Sequence, residues 1–156
     1  MSYDVNFWFP QPGQSFDEWA EAFDGTYPSV ERQRLRDALG EVRTQVSSLL
    51  PDAGVVEQDD GFAIDDDESA ISFGYSPSGV SLSCPYRHGA GASRIPLVYD
   101  IATTVASLTG LEAWDPQTDS PVEPSNLSMA VEVYERTARF AESLISRPHL
   151  PAPERQ

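Results

Sequence analysis

The sequence has no lysine; all ten of its basic residues are arginine. A Schiff-base lysine, a phosphate-loop lysine and a lysine general base are therefore excluded. There is one cysteine, Cys84, so no disulfide framework is expected. Positive charge is scarce altogether: ten basic residues stand against 25 acidic ones, a net charge of −15. That balance argues against nucleic acid as a partner, because such binding draws its affinity from neutralised phosphates. It also disfavours an anionic membrane surface. No apolar run approaches the roughly 20 residues of a bilayer span, and MSYDVNFW lacks the basic and apolar regions of a secretory signal. Together these absences predict a cytoplasmic protein whose natural partner is a basic protein.

What is present suffices for a core. The 156 residues are 40% hydrophobic and 10% aromatic, and a protein of that length buries about two-thirds of its unfolded surface. The expectation is a single α+β domain over 1–147, followed by a flexible tail over 148–156.

Local patterns divide that domain. Tyr3, Val5, Phe7 and Phe9 alternate with polar neighbours, predicting a strand that Pro10 stops. In GQSFDEWAEAFDG, Ser15 and Glu18 have the spacing of a capping box. Phe16, Trp19, Ala20 and Phe23 follow on one helical face, and Gly25 stands at the C-cap. That aromatic face is expected to press the helix onto the sheet. A longer helix from Ser29 to Pro51 carries Leu35, Ala38, Leu39, Val42, Val46 and Leu49 in one stripe.

AISFGYSPSGVSLSCPY reads as a hairpin. Matching its apolar sets pairs Tyr75 with Val80 and leaves Ser76 to Gly79 as the loop. Phe62 and Ile64 in GFAID add a neighbouring strand, and RHGAGAS is a loop. Ile95 to Leu108 form a helix closed by Gly110, LEAW a short strand, and DPQTDSPVEP a turn-rich connector. A last helix, Ser125 to Arg147, carries a second apolar strip of Met129, Val133 and Phe140. This order gives α+β architecture, a mostly antiparallel sheet with helices packed on one face.

Catalytic signals are thin. Cys84 and His88 lie in CPYRH, but Cys84 is in phase with Val80 and Leu82 and so points to the core. His88 and His149 are too few for a zinc site. HGAGAS lacks the strand–loop–helix setting of a phosphate loop, and no GxSxG elbow occurs. No catalytic residue, metal ligand or cofactor is assigned.

The sharpest feature is acidic. Glu57, Asp59, Asp60, Asp65, Asp66, Asp67 and Glu68 place seven acids within twelve residues, in a spacing unlike an EF-hand loop. One reading is a solvated edge that discourages aggregation; the other is a docking surface for a basic partner. Trp8, Trp114 and Tyr86 are candidate interface anchors, or else cover the second face of the sheet.

Three stretches carry a resemblance: SYDVNFWF leading into GQSFDEWAEAF, the strand VSLSCPY before a helix, and TGLEAWDPQT after it. Over about 1–118 the sequence resembles a family of small acidic uncharacterised proteins of high-GC bacteria, some of which resemble the immunity proteins of polymorphic toxin systems. Where related sequences carry a bulky aromatic after the PY of the hairpin, this one has Arg87 and His88. The resemblance brings no catalytic residues. It implies a non-catalytic, immunity-like inhibitor of a basic toxin or nuclease. Two alternatives remain open: a small-molecule-binding domain or enzyme using a helix–sheet cleft, with His88, Asp100 or Asp115 as polar groups, and a structural dimer.

Overall fold

The computed structural model describes residues 1–145. The expected tail over 148–156, and the last two residues of the expected domain, lie outside the described residues. In sequence order the elements are β1 (Ser2–Trp8), α1 (Phe16–Ala22), α2 (Ser29–Leu49), β2 (Gly54–Gln58), β3 (Gly61–Asp65), β4 (Ser72–Ser76) and β5 (Gly79–Pro85). There follow α3 (Gly91–Thr109), β6 (Glu112–Asp115), β7 (Ser120–Pro121) and α4 (Leu127–Ile145). One seven-stranded sheet runs β2-β3-β4-β5-β1-β6-β7, with every neighbouring pair antiparallel. The protein is α+β.

The alternation in β1 turns Tyr3, Val5 and Phe7 to one side of the sheet. There they join Phe62, Ile64, Phe73, Tyr75, Leu82 and Cys84 from β3, β4 and β5. The three long helices close this face. Leu35, Val42 and Val46 come from α2, Ile95, Val98, Ile101, Ala102 and Val105 from α3, and Ala130, Tyr134 and Ala138 from α4. α3 lies between the other two. Each large apolar residue buried here contributes about 1.5–3 kcal/mol relative to exposure. Phenols then pin helices and loops to strands. Tyr75 donates to the Leu35 carbonyl at 2.6 Å, Tyr27 to that of Phe7 at 3.0 Å, and Tyr134 to that of Pro85 at 2.7 Å. Burial pushes the Tyr27 phenol up to about 12.

The hairpin has the expected register, with Tyr75 opposite Val80 and Phe73 opposite Leu82. It runs one pair further, to Ser76 and Gly79, leaving Pro77 and Ser78 as the connection. The capping box forms, the Glu18 amide donating to Ser15 Oγ at 3.2 Å, and Gly110 caps α3 with φ +79°.

α1 departs from expectation. None of its residues is buried, Trp19 and Phe23 only flank the core, and its aromatic face lies mainly against tryptophans of the sheet. Phe16 stacks on Trp114 at 5.1 Å and meets Trp8 edge-on at 5.7 Å. Trp8 follows the core residue Phe7, and Trp114 follows Ala113, so both point to the opposite face of the sheet. α1 is a small second layer there.

The start of α3 also differs. The loop read as RHGAGAS ends earlier, and the helix begins at Gly91. Its entry is held by α4: the Glu135 carboxylate accepts from the Gly89 amide at 3.0 Å and from the Gly91 amide at 2.7 Å. A Cβ at Gly91 would stand 2.8 Å from that carboxylate, so the close approach requires glycine. Hydrogen bonds from the Gly89 amide lead the causes that hold the Glu135 carboxyl below its usual range, burial opposes them, and His88 and Arg139 add to the lowering.

Candidate interaction surface

β2 forms one outer edge of the sheet, and all five of its residues are exposed. β7, the other edge, is two residues long and contains Pro121. A strand edge without a neighbour presents unpaired amides and carbonyls. At β7, brevity and proline blunt that edge; at β2, acidic side chains surround it.

The fold splits the acidic run in two. Asp59 and Asp60 occupy the turn between β2 and β3, while Asp65 ends β3 and Asp66, Asp67 and Glu68 begin the loop to β4. The five residues of β3 separate these groups by roughly 17 Å. Glu57, Asp59, Asp60, Asp65, Asp67 and Glu68 are exposed. Asp66 is half-buried, because its carboxylate shapes the loop: it accepts from the Ser69 amide at 3.0 Å and the Ser69 hydroxyl at 2.5 Å. Asp65 accepts from the Ser72 hydroxyl at 2.7 Å. Glu57 pairs with Arg43 of α2, both side groups lying largely in water; such a pair adds little to stability.

The aromatic candidates divide otherwise. Trp8 is 4% exposed under Phe16 and Trp19, so as an anchor for a partner it must be corrected: α1 folds over it and takes the place a partner would fill. Trp114 is half-buried in its stack with Phe16. Tyr86 is half-buried against Tyr3 and Tyr134. All three cover the sheet or its helices.

The residues considered for chemistry lie in separate surroundings. Cys84 is 1% exposed, and burial pushes its thiol up to about 11 against the lowering effect of Arg94. His88 faces α4: its Nδ1 lies 3.4 Å from Glu142, and its Nε2 accepts from Arg139 at 3.3 Å. Asp100 is exposed on α3. Asp115 is fully buried and accepts from the phenols of Tyr3 and Tyr99, the latter at 2.6 Å, and from the Gln117 amide at 3.0 Å. Burial first, and these bonds second, raise the Tyr3 and Tyr99 phenols well above their ordinary range. Asp115 thus locks the β6–β7 turn onto β1 and α3.

Sequence reasoning did not find β2, whose GVVEQ shows no alternation to betray it. Nor did it find Arg94, a buried cation in the first turn of α3. Among the described residues no helix is long and apolar enough to cross a membrane, and no three His, Cys, Asp or Glu residues gather as a metal site would need. No protein-family model matches the sequence, and comparison with curated proteins and with solved structures returns no significant match.

Proposed function

We propose that this protein is a cytoplasmic, non-catalytic binding protein that covers a basic surface of a partner, in the manner of an immunity protein inhibiting a toxin or nuclease. One observation carries the reading. Six of the seven acids between 57 and 68 stand in solvent around the uncovered edge hairpin β2–β3. Of these, Glu57 is paired with Arg43 and Asp65 accepts from Ser72. A concentrated negative field of this kind speeds encounter with a cation-rich surface and rejects acidic ones. The sequence resemblance points the same way.

The test is recovery of partners from the source cell on the immobilised protein, at low and at high salt. A variant carrying Glu57→Gln, Asp59→Asn, Asp60→Asn and Asp67→Asn serves as comparison. One basic protein should be retained at low salt, lost at high salt and lost to the variant. Retention of no basic protein at either salt overturns the reading.

A second reading rests on α4, whose Met129, Phe140 and Leu144 are 43%, 59% and 46% exposed. That apolar strip suits a face shared by two copies of the protein. Light scattering decides it: a monomer at high concentration ends the dimer.

A further inference from the structure

A cavity of about 410 Å³ opens where the end of α2, the loop from β3 to β4 and the first turns of α3 converge. Its lining is divided by charge. Asp52, just past α2, and Asp66 and Glu68 of the loop are acidic, and the C-terminal end of α2 adds negative potential. Ser93 and Arg94 come from the first turn of α3, the positive end of that helix. Leu49, Leu50 and Leu97 supply apolar wall.

Arg94 is the anomaly. It is only 7% exposed. One guanidinium nitrogen donates to the Pro85 carbonyl at 3.1 Å and lies 3.4 Å from the Tyr134 hydroxyl. Yet none of the ion pairs among the described residues includes it. A buried cation without a counter-charge is costly. Three carboxylates line the same cavity without forming an ion pair with it, and one oxygen of Asp66 is taken by Ser69. Opposite charges are thus displayed in one cavity and left apart, and a ligand bearing both charges would join them. Three acids stand beside one arginine in the lining, which suits a ligand with a cationic end as well as a carboxylate.

We infer that this cavity binds a basic amino-acid group, its carboxylate on Arg94, its cationic end toward Asp52, Asp66 and Glu68, and its aliphatic stem along Leu49, Leu50 and Leu97. The volume is within the range of small-ligand sites, which are mostly apolar with a few convergent polar groups. The same chemistry has two sources, a free amino acid or the C-terminal residue of a protein. The site is separable from the acidic-edge reading: neutralising Asp59 and Asp60, at the far end of β3, leaves it intact.

Titration calorimetry on the full-length protein uses three probes. L-Arginine carries both charges, Nα-acetyl-L-arginine stands for the C-terminal residue of a polypeptide, and agmatine lacks the carboxylate. L-Arginine or its acetylated form should bind saturably and about tenfold or more tighter than agmatine, the worth of one charge-assisted contact. The better of the two identifies the source. Arg94→Gln should erase the advantage over agmatine, whose own affinity should not fall, and Asp52→Asn should weaken all three. Should Arg94→Gln fail to fold, Ser93→Trp, at an exposed position on the rim, should abolish binding. Equal affinity for L-arginine and agmatine, no saturable binding at millimolar probe, or full binding by Ser93→Trp overturns the inference.

Discussion

The two halves of the sheet are finished differently. At β1 and β6 both faces are covered: Tyr3, Phe7 and Ala113 lie on the side of the long helices, Trp8 and Trp114 under α1. From β3 to β5 only the helix side is covered, and the outer positions carry Ser72 and Ser81 in water with Gly74 between strands. The difference lies in the residues that alternate with the core. Tryptophan at those positions draws a second layer over the sheet; serine and glycine leave it open. Carboxylates follow the same division. Asp115 is fully enclosed and takes donors from Tyr3, Tyr99 and Gln117, whereas Glu57, Asp59 and Asp60 stand at the open edge. The buried carboxylate is held by its donors, whereas those at the open edge face solvent.

Five measurements break or sharpen this contrast. The largest effect is expected at the closed end, where Asp115→Ala strips the acceptor from two buried phenols and should cost about 4 kcal/mol by urea unfolding. Trp8→Ala should cost about 3 kcal/mol, since it empties the space beneath α1. Ser81→Ala, at an outer position of the open half, should stay within about 0.5 kcal/mol. Equal losses at Trp8 and Ser81 would mean that α1 covers nothing of consequence.

Smaller and dependent on pH is the Glu135 clamp on the start of α3. Its carboxyl is held below the ordinary value of 4.5 in the folded protein. The stabilisation it brings is therefore present above that value and lost as pH falls through the folded one. Thermal melts from neutral to acid pH should show Glu135→Gln less stable at neutrality and less sensitive to acid than the parent. The smallest effect is expected at the edge. Glu57→Gln with Asp59→Asn and Asp60→Asn should move stability by no more than about 0.5 kcal/mol while removing affinity for a basic protein. A loss of several kcal/mol would make those acids part of the fold.

Much of the architecture was legible because its signals are local. The Ser15–Glu18 cap, the Gly110 stop, the stripes of α2 and α3 and the pairing of Tyr75 with Val80 each depend on residues a few positions apart. β2 was not legible, because an edge strand exposed throughout has no reason to alternate. The side of the sheet taken by α1 was not legible either, since its amphipathic face would suit either surface. Trp8, read as an interface anchor or as cover for the second face of the sheet, and Asp115, offered as a polar group of a cleft, are both enclosed for a common reason. Their covers come from elsewhere in the sequence: Phe16 and Trp19 over Trp8, Tyr3 and Tyr99 on Asp115. The acidic run was plain, but its division into two groups along β3 was not, because sequence distance collapses or stretches once strands pair.

By itself, then, the order of residues determined a lysine-free, strongly acidic polypeptide, the positions of most strands and helices, and the face of each strand that turns inward. Those follow from composition and from repeats of two and of 3.6 residues, which any stretch carries within itself. Tertiary structure alone decided which tryptophans are covered, that Glu135 closes the start of α3, that the acids ring an unblunted edge, and that Arg94 shares a cavity with carboxylates with which it forms no ion pair. These depend on contacts between distant segments, whose charges and surfaces acquire meaning only when folding sets them side by side.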